Sequence, residues 1–344
     1  MAYSRYKFLI VILLASDLAD SLDTLLELTS NTIDVACRAV KNTVESYPIN
    51  PPYIEKVSFQ LRTACGTIEF PVQHVDKLRK FRQFDIRKKT AFFVAGWIAP
   101  PDYYYMKDII KAYNCRRDYN FVLVNTGGFI TNLYANSAYH TDKLGKFLAI
   151  GLRNLGLRVD NMHLIGHSLG AHIVGSAGRY YRQLTGRRLK RITGLDPARP
   201  CFVTPSVFPR LKRGDAEYID IIHSNPFQFG SEELIGDVDF FPGGFVPSKP
   251  GCAISIRCSH EISVQYFAES VYPENERNFI GSQCRNLEEL KAKSCSGPKS
   301  IMGLANAGVS RGIHYVPVRP IPPFGAYANV AATIRSYQCG LCRK

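Results

Sequence analysis

No apolar run in this 344-residue chain approaches the roughly 18 residues that a bilayer-spanning helix needs, which argues against a transmembrane segment. Internal repeats and low-complexity tracts are also missing, so solenoids and disordered linkers are poor descriptions. No Asn-x-Ser/Thr acceptor occurs, and N-linked glycans are not expected. Acidic residues are scarce: 29 Asp and Glu against 43 Lys and Arg leave a net charge of +14. So basic a chain points to nucleic acid, an anionic membrane or an acidic small substrate as partner. Zinc-finger, homeodomain and RNP patterns are absent, so no nucleic-acid partner is expected. What is present is globular: 46% hydrophobic and 21% charged residues. A chain of this size buries about three quarters of its surface and can fold without staples.

The N-terminus reads as a secretory signal over residues 1–19. Arg5 and Lys7 make a basic start, Phe8 to Ala15 is a short apolar run, and Ala15, Ser16 and Ala19 are small. Cleavage there removes Arg5, Lys7 and Asp17 and lowers the charge by one, to +13, so the basic character belongs to the mature chain. Ten cysteines fit a secreted, extracellular protein, and Cys252, Cys258, Cys284, Cys295, Cys339 and Cys342 crowd the last third. Cys339-Gly-Leu-Cys342 has metal or redox spacing but no second pair, so disulfide partnership is the expected role. Cys201 is a candidate buried free thiol, and the partners of Cys37, Cys65 and Cys115 stay open.

Residues 20–54 read as a helical segment ending in a Pro-rich linker, with Leu22, Leu25, Leu26, Ile33, Ala36, Val40 and Val44 at helical spacing before Pro48, Pro51 and Pro52. Residues 55–344 form the main domain. Buried strands are expected at 90–94, 121–124, 162–165, 192–195 and 218–222, with helices at 105–113, 138–155 and 169–184 between them. That alternation predicts an α/β class with a mostly parallel central sheet and helices on both faces. Beyond residue 225 Gly, Pro and Cys become frequent and periodicity fades.

Gly166-His-Ser-Leu-Gly170 matches the G-x-S-x-G nucleophile elbow and lies where a strand ends and a helix begins. Small residues suit it because strand and helix backbones must approach closely around a strained serine. The helix start then puts the Leu169 amide where it can donate to an oxyanion. A second donor is expected from the loop after the strand at 90–94, at Trp97 behind Gly96. A serine nucleophile needs a base and a carboxylate, which follow it in the order Ser, acid, His in elbow enzymes. Asp196 is the preferred acid, at the carboxyl end of the strand at 192–195. Asp215, Asp220, Asp237 and Asp239 read as solvated surface groups. His223, His260 and His314 are all open as the base; His260 is favoured because it follows Cys258 on what reads as a cysteine-pinned loop before a helix at 262–270.

Several ordered motifs resemble the pancreatic-lipase family of secreted α/β-hydrolases: residues 163–172 around the elbow, 192–202 with Leu195-Asp-Pro-Ala-Arg-Pro200, Ile221-Ile-His223, Asp239-Phe-Phe-Pro-Gly-Gly244 and Cys258-Ser-His260. The resemblance implies an α/β-hydrolase fold, nucleophile Ser168, acid Asp196, base His260, oxyanion amides of Trp97 and Leu169, and disulfides Cys252–Cys258 and Cys284–Cys295. It implies no cofactor and no metal. Three departures narrow the expectation. Only Ala253 to Arg257 separate the cysteines that bracket the family's lid, and relatives with so short a lid tend to be phospholipases A1 rather than triacylglycerol lipases. No lipid-binding β-sandwich domain follows, so no colipase partner is expected. Ala95 replaces the family's usual histidine before Gly96, which fits a weakened enzyme or the non-catalytic yolk-protein branch.

The expected partner is a lipid, phospholipid or acylglycerol, at a membrane or lipid-droplet surface. Two basic clusters, Lys77 to Lys89 and Arg179 to Arg191, read either as solvated surface or as a site for anionic lipid or a heparan-like polyanion.

Overall fold

The computed structural model describes residues 32–43, 52–100 and 102–342. The signal reading and most of the linker reading lie outside the described residues; of the N-terminal segment, residues 32–43 are helical. Eleven strands follow: β1 (Ser58–Thr63), β2 (Gly66–Pro71), β3 (Lys89–Val94), β4 (Tyr119–Asn125), β5 (Met162–His167), β6 (Arg191–Leu195), β7 (Tyr218–Ile222), β8 (Val238–Pro242), β9 (Ile280–Cys284), β10 (Lys299–Ile301) and β11 (Gly312–Val316). They form one sheet in the order β10-β9-β11-β8-β7-β6-β5-β3-β4-β1-β2. The seven strands from β11 to β4 are mutually parallel, while β1, β2, β9 and β10 add antiparallel edges. This is the α/β-hydrolase fold.

The parallel strands are apolar almost throughout because both their faces are covered. In β3, Phe92 and Val94 enter one core with Leu164, while Ala91 and Phe93 enter the other with Ile165. Helices Tyr134–Leu155 and Leu169–Thr185 pack together on the first face; helices Tyr104–Arg116 and Ile256–Val271 pack together on the second. Within the parallel set, the chain leaves each strand at the carboxyl pole of the sheet and enters the next at the amino pole, which gives the molecule two chemically distinct ends.

Five disulfides are present: Cys37–Cys201, Cys65–Cys342, Cys115–Cys339, Cys252–Cys258 and Cys284–Cys295. Cys201 is therefore not a free thiol. Its partner sits 164 residues away, in the helix at 32–43, where Asp34 also accepts the Cys201 amide at 2.6 Å. Pairing at that separation leaves no trace in local sequence. Cys339 and Cys342 go to different partners, so they are neither a redox pair nor a metal site.

Candidate active site

β5 ends at His167 and the next helix starts at Leu169, which leaves Ser168 alone on the turn at φ 56° and ψ −122°. A non-glycine residue there carries about 1–3 kcal/mol of strain, held by its surroundings. The Ser168 amide donates to Leu195 O at 3.0 Å, and Ser168 O accepts from the Ala198 amide at 3.3 Å. Gly170 lies directly on the Val94 carbonyl and Gly166 on that of Gly170, so neither position has room for a Cβ. The close approach is what the two flanking glycines of the elbow provide. Leu169 opens the helix, so its amide has no acceptor within it.

Asp196 follows β6, fully buried, with its own backbone at φ 44°. One carboxylate oxygen, Oδ1, accepts the Ser224 and Asn225 amides at 2.6 and 2.9 Å; Oδ2 faces His260 Nδ1 at 2.6 Å. Both oxygens are thus committed, and the imidazole is held by its Nδ1 side with Nε2 left for chemistry. The His260 ring lies 4.7 Å from that of His167, the residue before Ser168, and edge-to-face against Phe229 at 5.7 Å. Ser168, Asp196 and His260 are therefore gathered at the carboxyl pole.

His260 does not stand on a loop. It lies in the second turn of the helix Ile256–Val271, whose first turn is capped by Ser255 accepting the Cys258 amide. The cap and the Cys252–Cys258 bond start the helix six residues before its apolar stretch does. The other two histidines are structural. His223 is buried and stacked on Phe241, with Nδ1 on Ser231 O and Nε2 on Asp239 Oδ1 at 2.9 Å. His314 lies in β11, with Nε2 on Ser300 Oγ at 2.9 Å. The reading of Asp215, Asp220 and Asp239 as solvated is corrected: all three are buried and paired, with Arg179, Arg191 and His223. Asp237 is tied down by accepting the Ile219 amide. Asp220 and Asp239 lie within the buried strands β7 and β8, and Asp215 and Asp237 just before them, where a sequence window sees only a polar residue.

Trp97 sits three residues past β3, on a loop pressed against Ser168: a Cβ on Gly96 would lie 2.7 Å from Ser168 Cβ. The Trp97 indole N–H donates to Asn132 O at 2.7 Å, and the Ile98 amide donates to Ile130 O. Ala95 leaves no side chain to brace this loop, but Tyr105 reaches it from the helix behind. Burial pushes the Tyr105 phenol up, against the Gly96 amide that donates to its oxygen, and the ring stands edge-on to His167 at 5.4 Å.

Three contributors escape sequence reading. His167 is buried, with burial followed by the neighbouring His260 pushing it well below the usual histidine range, so it is neutral; its Nε2 meets His260 O at 3.2 Å. The Ser224-Asn225 amides are signalled only by a strand running into a turn. Lys249 is buried, with Nζ donating to Gly244 O and Val246 O; burial pushes it down to about 7 despite the attraction of Asp196. The start of the helix that carries His260 is pinned too: Arg257 and the hydroxyls of Tyr103 and Tyr104 all reach the Glu261 carboxylate. On the loops of the carboxyl pole Ile254, Leu133, Ile98, Phe229, Trp97 and Phe227 are exposed, Ile254 to 92% and Leu133 to 77%.

Vitellogenin-3 of Drosophila melanogaster is 35% identical over 60% of this chain and 50% of its own length. Pancreatic lipase-related protein 2 of Cavia porcellus is 31% identical over 63% and 50%, and Lipase member H-A of Xenopus laevis 30% identical over 67% and 51%. The chain thus spans about half the length of these relatives. The Lipase family model matches residues 22–312. With that match over most of its length, and with Ser168, Asp196 and His260 on one pole of an α/β-hydrolase sheet, this chain belongs to the lipase family.

Proposed function

We propose that the chain is a secreted lipid carboxylester hydrolase of phospholipase A1 type, with triacylglycerol as the second substrate class. The observation that carries the reading is the 2.6 Å contact between Asp196 and His260 Nδ1 beside a serine on a strained elbow. Ser168 Oγ attacks the ester carbonyl while His260 Nε2 takes its proton. The amides of Trp97 and Leu169 receive the oxyanion, and Asp196 supports the imidazolium. His260 then protonates the departing alkoxide, and water, deprotonated by the same nitrogen, releases the acyl-enzyme as fatty acid. The exposed apolar rim supports docking on a membrane or lipid-droplet surface. The six-residue spacing of Cys252 and Cys258 supports an uncovered site that admits a polar headgroup. Five disulfides support an extracellular location.

Purified protein is expected to release fatty acid from phospholipid vesicles faster than from triglyceride emulsion, and Ser168→Ala is expected to remove both activities. Activity that survives the substitution refutes the assignment. A second reading, a lipid-binding yolk-like protein, draws on Ala95 and on the similarity to Vitellogenin-3. Failure of folded wild-type protein to react with a fluorophosphonate probe at Ser168 would establish that reading instead.

A further inference from the structure

Ala95 offers no side chain to the loop that carries the Trp97 amide, yet that loop is fastened on both sides of Trp97. Beyond it, the Trp97 indole N–H donates to Asn132 O and the Ile98 amide donates to Ile130 O, which ties this side to the segment before the helix Tyr134–Leu155. Ahead of it, the Gly96 amide donates to the Tyr105 hydroxyl oxygen. That bond fixes the plane of the Ala95–Gly96 peptide, and the very next peptide carries the Trp97 N–H. The loop has little latitude, because Gly96 already lies against Ser168: a Cβ there would stand 3.3 Å from Ser168 Oγ and 3.1 Å from His167 Nδ1.

Tyr105 is itself held in place. It shares the core of the second face with Ala95, and its ring stands edge-on to His167 at 5.4 Å. The rings of Tyr103 and Tyr104 pack against it at 4.9 and 5.5 Å. Their hydroxyls donate to the Glu261 carboxylate at 3.1 and 2.7 Å, and Arg257 donates to the same group at 2.9 Å. Glu261 directly follows His260 on the helix Ile256–Val271. Three consecutive tyrosines therefore tie one amide ahead of Trp97 to the residue beside the histidine. Tyr113 supplies the contrast. It lies on the same helix and, like Tyr105, is 1% exposed, but its hydroxyl has no partner among the described residues. A phenol oxygen is thus not needed merely to fill this layer, and that of Tyr105 is spent on a single amide.

We propose that Tyr105 is a positioning residue for the hydrolysis: its phenol oxygen, held in register with His260 through Tyr103 and Tyr104, sets where the Trp97 amide points and does the bracing that Ala95 cannot. The inference rests on the proposed hydrolysis for its kinetic effect, while the brace itself is read separately. Tyr105→Phe keeps the ring and removes the acceptor. In the full chain, kcat for a soluble p-nitrophenyl ester is expected to fall about 10- to 100-fold, part of the cost of losing a whole oxyanion donor, with KM within about twofold. An alkyl trifluoromethyl ketone takes Ser168 Oγ onto its carbonyl carbon, the serine proton passing to His260 as the ketone oxygen becomes an oxyanion. Its inhibition constant is expected to rise by about the factor by which kcat falls. Tyr113→Phe, which deletes an equally buried hydroxyl from the same helix, is expected to leave both within about twofold. By NMR of glycine-labelled protein, the Gly96 amide is expected to exchange at least about tenfold faster in Tyr105→Phe than in wild type. Wild-type kcat in Tyr105→Phe overturns the inference, as does a loss confined to KM. An equal loss in Tyr113→Phe overturns it too, by making helix packing the cause. Wild-type protein inert towards the ester refutes the proposed hydrolysis instead, and an unchanged Gly96 exchange rate overturns the brace in either case.

Discussion

Asp196→Asn tests the site at its most constrained atom. The two carboxylate oxygens do different work: Oδ1 accepts two backbone amides, and Oδ2 receives His260 Nδ1–H. An asparagine keeps its oxygen on the amides, because turning its NH2 towards them leaves two buried donors without acceptors, at about 1–3 kcal/mol each. Its NH2 then faces His260 Nδ1, which must become an acceptor, so the ring proton moves to Nε2. A protonated Nε2 cannot take the proton of Ser168. The alternative orientation restores the right tautomer but costs about 2–6 kcal/mol, a population of roughly one in 30 or far less. Loss of the negative charge that supports the imidazolium comes on top. Together these predict a fall in kcat of about 10⁴, or about 5.5 kcal/mol of transition-state stabilisation, with near-native stability. The assay is single-turnover hydrolysis of a soluble p-nitrophenyl ester, with circular dichroism and thermal melting as folding controls. Asp239→Asn, at the buried His223 pair, is expected to lower stability and spare kcat. A folded Asp196→Asn enzyme within tenfold of wild type refutes the assignment of Asp196 as the orienting acid.

Gly96→Ala puts a methyl 2.7 Å from Ser168 Cβ and 3.1 Å from His167 Nδ1, so it should cost about 1–3 kcal/mol and strongly depress ester turnover, read by urea titration and kinetics. Retention of full activity would mean the loop is free to retreat. Lys249 binds its proton less tightly in the folded state, where burial sets its pKa at about 7, than in the unfolded chain at its ordinary 10.5. The unfolded state therefore holds more protons above pH 7, and stability should rise with pH by up to about 1.4 kcal/mol per unit between pH 7 and 9, a rise absent in Lys249→Gln. Chain entropy predicts that Cys65→Ser with Cys342→Ser, which opens a 277-residue separation, destabilises by about 5 kcal/mol. Cys252→Ser with Cys258→Ser, across six residues, should cost about 2 kcal/mol, both measured by chemical denaturation.

The elbow is legible in sequence because its signal is local: an apolar strand, a motif of fixed spacing and a helix all fall within some twenty residues. Asp196 is legible for a similar reason, as the polar residue ending a buried strand. His260 is half legible. Its chemistry and its cysteine neighbour are visible, but the helix around it depends on a cap and a disulfide that periodicity does not register. β8 to β11 escape because three- to five-residue strands carrying Asp239, Pro242, Gly281 and His314 show no clean alternation. Asp215, Asp220 and Asp239 are misread because burial with a partner looks, in sequence, the same as exposure.

The three long disulfides also set a timetable. Cys37, Cys65 and Cys115 leave the ribosome first, and each waits for a partner 164, 277 or 224 residues further on. At about 5–20 residues per second, the wait for Cys342 is on the order of 15–55 s. Over that interval Cys201 and the five cysteines from Cys252 to Cys339 emerge as well, so the early cysteines meet many other thiols before Cys342 arrives. The Cys65–Cys342 pair is therefore the last of the five to become available, and the hairpin β1–β2, tied to Cys342 through Cys65, is fastened only once Cys342 has emerged. A cell that makes this protein in quantity must supply disulfide isomerase in proportion, and its yield should track that supply more closely than it tracks the stability of the finished fold.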